Sequence, residues 1–474
     1  MSWVLLAPEL WFTLAVAVFL FLAMAGRPQP RRDRLAALAL AAAGVGVCLL
    51  SVGAEGLTFA EAYRVDLFSQ TVKILLAGGV FAVIAVSGKV AAIAPEDHAE
   101  YYLLLFLSTL AMMLLVSGTH LLLLYVSLEL SSYSLYILVS LRRGGPGRMP
   151  SGLHFFLVGI CASAITLFGM ALVYGATGSG ELSELHRALT SAASPLARAG
   201  VWLLLGGFLF KLAAFPFHVW APDAYEGAAN EVAAYVATVS KAGAVAVLVR
   251  LAAALGAGGG GLTAVLITLS VVSMTLGNLA AMAQRDLKRL FAYSAIAHAG
   301  YALLGILNLD GPGYAGALYY AVALLVMNFT AFFVVVQVAR DGRNLQIADL
   351  AGLHRRAPAL ALALFAALYS LAGLPPTIGF SGKFLVFVAS MERGYFPLVL
   401  VAMINVAISL YYYLMVLKAA YLDEAEDPAV LSISWPAKAL AGMLTVLIVA
   451  GGIFPRPLWD LASRAAQSLL GSLL

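Results

Sequence analysis

The chain has 474 residues, of which 62% are hydrophobic and only 11% carry a formal charge. A soluble domain has about 25% charged residues, and so few charges could not cover the surface of a soluble chain this long. The composition therefore excludes a cytosolic enzyme, a nucleic-acid-binding protein, a disulfide-stapled secreted protein and a disordered chain. What remains is an all-α polytopic membrane protein embedded in the lipid bilayer.

Apolar segments long enough to cross a bilayer, about 20 residues each, follow one another along the chain. We predict fourteen spans, near residues 3–24, 35–54, 67–88, 100–117, 119–141, 151–175, 199–222, 229–254, 262–283, 290–309, 314–339, 359–391, 396–421 and 436–454. An amphipathic segment, 456–473, follows them. We expect the first span to be retained rather than cleaved, and residues 1–474 to form a single transmembrane domain with short connections.

Lysine and arginine are distributed unevenly between the two sides of the predicted bundle. The loops after odd-numbered spans hold seventeen of them, and the opposite loops, together with both termini, hold seven. Positively charged loops stay on the cytoplasmic side of a membrane. Both termini are therefore predicted to lie on the outer side.

Away from the first and last few residues of each predicted span, the charged side chains inside the spans are Glu9, Lys73, Glu129, Lys211, Lys241 and Lys383. A charge at mid-membrane costs about 2.5–3.5 kcal/mol on insertion scales, and it usually faces the bundle interior and marks an ion or proton path. Glu9 and Lys73 lie near span ends, so we expect them to reach the interface. The other four are predicted to be functional. The alternative for them is a buried Glu–Lys pair that only fixes helix packing.

The residue types favour protons over sodium as the transported ion. Burial lowers the pKa of a lysine and a nearby carboxylate raises it, so a buried lysine can exchange protons near neutral pH. Histidine also titrates there, and we predict His298 as a relay and His218, seven residues after Lys211, as an accessory. The other histidines are expected at the interface, namely His98, His120, His154, His186 and His354.

The two cysteines, Cys48 and Cys161, lie in apolar runs without the spacing of a zinc or iron–sulfur site. No Gly-x-Gly-x-x-Gly motif follows a strand-like segment. We therefore expect neither a metal nor a cofactor in this chain.

Two of the lysines share a local pattern, Gly-Phe-x-x-Lys, at residues 207–211 and 379–383. Pro216 follows the first copy, and Pro375-Pro376 precedes the second. Proline frees backbone carbonyls, which is tolerated at membrane depth where the backbone lines a polar cavity. We therefore predict broken helices in spans 7 and 12. Because these spans run in opposite directions, we also predict an inverted repeat of spans 4–8 (100–254) and 9–13 (262–421).

Four motifs together resemble the antiporter-like subunits of respiratory complex I, over nearly the whole chain. They are Phe210-Lys-Leu-Ala-Ala-Phe-Pro-Phe-His-Val-Trp-Ala-Pro-Asp-Ala-Tyr-Glu-Gly-Ala228, Thr238-Val-Ser-Lys241, Asp286-Leu-Lys-Arg-Leu-Phe-Ala-Tyr-Ser-Ala-Ile-Ala-His298 and Ser370-Leu-Ala-Gly-Leu-Pro-Pro-Thr-Ile-Gly-Phe-Ser-Gly-Lys383. The chain is most similar to the subunit N branch. The reasons are Leu128-Glu-Leu-Ser-Ser-Tyr-Ser-Leu135, the run of tyrosines at 411–413, lysine at 383, and the lack of a long lateral helix after span 14.

The resemblance implies a role for each charged residue. Glu129 and Lys211 would be the paired residues of an uptake half-channel, Lys241 the central proton carrier, His298 part of the connecting path and Lys383 the exit-side residue. It implies a proton-translocating subunit of NADH–quinone oxidoreductase in a bacterial inner membrane, with both termini periplasmic. NADH, FMN, iron–sulfur clusters and quinone would bind to partner subunits, among them further antiporter-like membrane subunits.

One departure from the family pattern stands at the start of span 8. The family continues with Pro-Thr after the Tyr-Glu-Gly-Ala segment, whereas this chain has Ala229-Asn230-Glu231.

Three alternatives for the function of the chain stay open. They are a subunit of a multi-subunit cation/proton antiporter, a subunit of a related membrane-bound hydrogenase or dehydrogenase, and an inert scaffold whose charges only hold helices together.

Overall fold

The computed structural model describes residues 3–26, 28–88, 90–143, 148–185, 195–256, 262–425 and 429–471. His186, which we expected at the interface, lies outside this part of the chain. The helices of the first half are α1 (Ala7–Met24), α2 (Pro30–Leu50), α3 (Leu67–Val86), α4 (His98–Ser117), α5 (Leu121–Ser140), α6 (Arg148–Thr177), α7 (Pro195–Leu212), α8 (Trp220–Gly227), α9 (Asn230–Tyr235) and α10 (Lys241–Leu255). A five-residue π-helical turn, Val236–Ser240, joins α9 to α10.

The second half continues in the same way. Its helices are α11 (Leu262–Met282), α12 (Leu287–Ile306), α13 (Gly311–Val338), α14 (Leu353–Arg356), α15 (Pro358–Ala372), α16 (Ile378–Glu392), α17 (Phe396–Tyr421), α18 (Trp435–Ile453) and α19 (Arg456–Gly471). Two short antiparallel strands, β1 (Gly56–Thr58) and β2 (Tyr63–Val65), form a hairpin between α2 and α3.

Helix starts in the bundle are fixed by side chains that accept hydrogen bonds from free backbone N–H groups. Asp66 accepts from the backbone of Ser69 and caps α3, and Asp286 accepts from that of Arg289 and caps α12. Asp310 caps α13 in the same way. Aspartates between apolar segments therefore mark where the chain enters these three helices.

Twelve helices in the described part of the chain are long and apolar enough to cross a bilayer. Predicted span 10 corresponds to α12, which is not among these twelve, and predicted span 12 corresponds to α15 and α16, of 15 residues each. The all-α polytopic fold is confirmed, but the count of fourteen spans is not. The amphipathic segment forms α19, which packs against α13 and α3.

The interior of the bundle is formed by a few helices. Every residue from 230 to 255 is buried, and so is most of α12 and α13. In contrast, no more than a third of the residues in the apolar windows of α1, α2, α6 and α18 are buried, as expected for helices that face lipid rather than water. Charged side chains on the inner helices therefore need partners within the protein.

Candidate functional site

Lys211 lies in the last turn of α7 and is 3% exposed. Its Nζ donates hydrogen bonds to the hydroxyls of Ser131 (2.8 Å) and Ser132 (3.4 Å) on α5. Glu129 is half-buried on the same helix and interacts electrostatically with Lys211 and with the hydroxyl of Ser163. No ion pair within 4.0 Å joins Glu129 to Lys211, so serine hydroxyls hold the ammonium while the carboxylate acts from a longer distance.

The helix that carries Lys211 breaks as predicted in span 7. α7 ends at Leu212, Ala213 adopts a left-handed conformation (φ 57°), and α8 begins only at Trp220. The carbonyls at the end of α7 are therefore free to accept other donors. The indole of Trp220 donates to the carbonyl of Phe210 (3.0 Å), and Lys241 Nζ donates to that of Leu212.

Lys241 begins α10, directly after the π-helical turn. Its ammonium also lies 5.4 Å from the centre of the Trp220 ring, which provides a cation–π contact. Lys211 is near enough to Lys241 to repel it electrostatically. The two lysines therefore lie beside one helix break, where serine hydroxyls hold the ammonium of Lys211 and a free carbonyl holds that of Lys241.

The second break, within predicted span 12, holds Lys383. α15 ends at Ala372, Gly373 adopts φ 87°, and Lys383 on α16 donates to the carbonyls of Leu371 (2.9 Å) and Ala372 (3.1 Å). Its ammonium lies 4.7 Å from the centre of the Tyr301 ring. Lys383 thus lies after the helix break in span 12, whereas Lys211 lies before the break in span 7. Both lysines nevertheless end the same five-residue pattern.

His298 is buried in α12 within a cluster of hydroxyl groups. Its Nδ1 hydrogen-bonds to the hydroxyl of Tyr320, and its Nε2 to that of Tyr413 (3.1 Å). Tyr413 in turn bonds to the hydroxyl of Ser294. Lys383 lies close enough to interact electrostatically with His298. In the sequence Tyr413 is distinguished only as part of a run of tyrosines, which gives no signal of its contact with His298.

The predicted site residues fall into two groups. Glu129, Lys211 and Lys241 form one group, and His298 and Lys383 form the other. Both Lys241 and His298 lie in the described part of the chain, and no hydrogen bond joins them. The predicted connection between the two groups stays a prediction.

His218 does not lie on the same helical face as Lys211. A spacing of seven residues places two side chains on one face only within an unbroken helix, but α7 ends at Leu212, so His218 lies beyond the break. Its ring stacks on Phe215 at 5.7 Å, and its Nδ1 has no hydrogen-bond partner. The break itself is the reason for the difference.

The expectation that Glu9 and Lys73 reach the interface is wrong. Lys73 is 0% and Glu9 5% exposed, and Lys73 Nζ lies 2.9 Å from Glu9 Oε1. The hydroxyl of Tyr63, in β2, donates to the same carboxylate oxygen (2.6 Å). The hairpin and α1 therefore close over the end of α3, and each charge finds its counter-ion inside the protein.

Other charges assigned to loops are also buried. Arg250 (1% exposed) donates from one nitrogen to both carboxylate oxygens of Asp66, at 3.0 and 2.9 Å. Lys288 (0% exposed) donates to the carbonyl of Ala228 (2.7 Å). Burial raises the pKa of the neighbouring Asp286 carboxyl. Their positions near predicted span ends gave no signal of these contacts.

The architecture is that of a polytopic membrane protein with two broken helices and three buried lysines beside the breaks, two of which bind free backbone carbonyls. A family profile described as "NADH:quinone oxidoreductase/Mrp antiporter, TM" matches residues 118–409. NADH-quinone oxidoreductase subunit N 2 of Syntrophobacter fumaroxidans is 58% identical over 426 residues, which are 89% of this chain and 90% of the relative.

Two solved structures extend the comparison. A chain of respiratory complex I from Thermus thermophilus with bound aureothin superimposes with a TM-score of 0.84 and 33% identity, covering 96% of this chain and 99% of that one. A chain of the Mrp complex from Dietzia sp. has a TM-score of 0.89 at 20% identity, covering 100% and 98%, which indicates the same fold. The chain belongs to the NADH-quinone oxidoreductase subunit N family.

Proposed function

We propose that this chain is a proton-translocating membrane subunit of an NADH–quinone oxidoreductase. Redox energy released in partner subunits would drive proton transfer through its buried lysines. The observation that carries the proposal is the position of Lys211, Lys241 and Lys383 at two helix breaks. There each ammonium is held by neutral hydroxyls or carbonyls, and no carboxylate lies within 4 Å of it. A lysine held in this way can lose its proton without leaving an unpaired buried anion.

The proposed relay begins at Glu129 and Lys211. When the carboxylate of Glu129 moves away, the ammonium of Lys211 loses coulombic stabilisation and releases its proton more readily. Lys241 shares the same break and takes up that proton. It regains the Leu212 carbonyl and the Trp220 ring as partners for its ammonium.

The second part of the relay runs through His298 to Lys383. Neutral histidine can accept a proton at one ring nitrogen and release one from the other. The hydroxyls of Tyr320 and Tyr413 bond to these two nitrogens. Lys383 then holds the proton against the carbonyls that end α15 and releases it on the exit side.

The energy required is modest. Moving one charge against 100 mV costs about 2.3 kcal/mol, which corresponds to a change of roughly two pKa units in one carrier. Removing one counter-charge from a poorly solvated site produces changes of this size. The relay therefore needs only small movements of side chains around the two breaks.

The partners and cofactors follow from the same proposal. Other membrane subunits of complex I, including further antiporter-like subunits, would flank this chain, and NADH, FMN, iron–sulfur clusters and quinone would bind elsewhere in the complex. Among the described residues no group of three or more His, Cys, Asp or Glu could hold a metal ion. The proposed location is the bacterial inner membrane, with both termini periplasmic.

The experiment is proton translocation in inverted membrane vesicles from cells that carry Lys241→Ala, with the amount of assembled complex measured in parallel. We expect assembly to be retained and proton translocation driven by NADH to be lost. Undiminished translocation would overturn the central role of Lys241. Co-purification with antiporter subunits alone, without flavin and iron–sulfur subunits, would favour the cation/proton antiporter, whose fold this chain shares.

A further inference from the structure

A large cavity opens at the end of the bundle that the positive loops predict to be cytoplasmic. Its volume of about 790 Å³ lies within the range of about 300–1,000 Å³ that ligand sites have. The start of α2, the end of α3, the end of α13 and the start of α18 line it, together with the first turn of α9. Gly88 and Pro436 belong to the lining and are exposed, so the cavity reaches the protein surface.

Two of the helices that border the cavity, α2 and α18, face lipid. Each buries less than a third of its apolar window. α2 packs against α1, α3 and α4, whereas α18 packs against α13, α15 and α16. Trp435, the first residue of α18, is 78% exposed, and tryptophan is enriched at the level of the lipid headgroups. The mouth of the cavity therefore lies at headgroup level, in a seam between two helices that face lipid.

Two arginines in the lining have no carboxylate partner. Arg34 donates one hydrogen bond to the backbone carbonyl of Ala85 (3.2 Å), and its buried Nε has no partner. Arg340 is exposed and reaches only the amide oxygen of Gln337, at 3.5 Å. Among the residues that the structure describes, no carboxylate pairs with either guanidinium. Guanidinium groups with free N–H donors are suited to binding phosphate.

The carboxylates in and beside the cavity are near other cations. The pairs are Asp33 with Arg32 (3.0 and 2.9 Å), Asp341 with Arg343 (3.7 Å), and Glu231, which is 7% exposed in the lining, with Lys288 and Arg142. The charges of Arg34 and Arg340 are therefore left over, and the cavity favours an anion.

The inner wall of the cavity is apolar. Along α13, Val336 and Phe333 precede Arg340 by about one and two turns, towards the interior of the membrane, and Ala437 and Leu440 of α18 also belong to the lining. A free phosphate ion would leave this apolar surface uncovered, whereas an acyl chain would bury it. A phospholipid combines the anion with the chain, and basic pockets between helices on the cytoplasmic side bind lipid headgroups.

We propose that this cavity binds an anionic phospholipid. The headgroup phosphate accepts hydrogen bonds from Arg34 and Arg340, which gives the buried Nε of Arg34 a partner. One acyl chain lies against Phe333, Val336 and Leu440. The lipid thereby joins α2 and α3 to α13 and α18. The inference does not depend on the proposed function, because none of the lysines of the proposed relay lines this cavity.

The test uses the purified, complete complex after a detergent wash. The probe is a phosphatidylglycerol with a photoreactive group in one acyl chain, and mass spectrometry of the peptides locates the lipid attached on illumination. We expect labelling of the peptides that contain residues 333–336 or 437–440. Unlabelled phosphatidylglycerol should compete for these positions. Phosphatidylcholine with the same chains should not compete, and neither should inorganic phosphate.

Variants test the two arginines. Arg34→Gln and Arg340→Gln should each raise the concentration for half-maximal labelling about fivefold, which corresponds to about 1 kcal/mol for each basic residue near an anionic lipid. Arg340→Lys should retain most of the binding. Lys438→Gln is the matched control, because Lys438 is exposed at the same end of α18 but does not line the cavity. Since Arg340 is exposed, its variants serve even if Arg34→Gln fails to assemble.

Several results would overturn the proposal. One is labelling of these peptides that is as strong in both glutamine variants as in Lys438→Gln. Another is equal competition by phosphatidylcholine, which would mean that chains alone fill the cavity. Competition by inorganic phosphate would indicate a site for a soluble anion instead. A lack of labelling at both peptides would mean that another group, such as a segment of a neighbouring subunit, covers the cavity. The translocation assay on Lys241→Ala is independent of all these outcomes.

Discussion

The ammonium of Lys241 donates a hydrogen bond to the carbonyl of Leu212, the last residue of the helix that carries Lys211. This contact joins predicted span 8 to the break in predicted span 7. A change in the protonation of Lys241 therefore acts directly on the end of α7, one residue from Lys211. The protonation state of Lys241 is in this way linked to the backbone that positions Lys211.

Lys241→Arg should allow assembly but abolish proton transfer. The guanidinium keeps the positive charge and can donate to the Leu212 carbonyl, but it does not deprotonate in proteins. NADH-driven proton uptake in inverted vesicles measures the effect. Lys418→Arg serves as control, because the Lys418 side chain is 65% exposed. Normal uptake by Lys241→Arg would contradict a role in which Lys241 gives up its proton.

Glu9→Gln should destabilise the assembled complex. It leaves the buried ammonium of Lys73 without its counter-ion, and breaking a buried ion pair costs about 3–5 kcal/mol. Combining it with Lys73→Met removes the charge and should recover much of the loss. The temperature of thermal inactivation measures both effects. Equal stability of Glu9→Gln and the parent complex would show that the pair contributes little.

Gly373→Ala should impair the second break. A Cβ at this position would lie 2.8 Å from Cδ of Lys383, and φ 87° is strained for any residue with a side chain. We expect a loss of stability of about 1 kcal/mol or more and slower proton transfer, since Lys383 must move from its carbonyls. Gly394→Ala is a useful comparison because its φ is also positive (83°) but its Cβ would meet open space. Equal transfer rates in the two variants would exclude an effect on Lys383.

His298→Gln should slow proton transfer while preserving assembly. Glutamine can keep hydrogen bonds to Tyr320 and Tyr413 but cannot pass a proton as an imidazole does. The rate of proton translocation, set against the amount of complex, gives the result. A variant that translocates normally would remove His298 from the path.

Cysteine labelling checks the predicted orientation. In a variant without Cys48 and Cys161, Asp341→Cys should react with a membrane-impermeant maleimide in inverted vesicles, and Glu392→Cys only from the outer side. Both positions are exposed: Asp341 follows α13 and Glu392 is the last residue of α16, on opposite sides of the predicted membrane. The reverse pattern would invert the orientation that the positive loops predict.

The sequence alone determined the membrane class, the positions of most spans, the two helix breaks and the lysines beside them. These are local properties: hydropathy over about 20 residues, prolines within apolar runs, and charges where lipid does not tolerate them. Only the tertiary structure decided the partners of each charge. Lys73 finds Glu9 and Arg250 finds Asp66 across long stretches of chain, and Lys211 bonds to serines on α5 rather than directly to Glu129. The partners of a buried group depend on how helices that are distant in sequence pack against one another. Composition and residue spacing do not specify that packing.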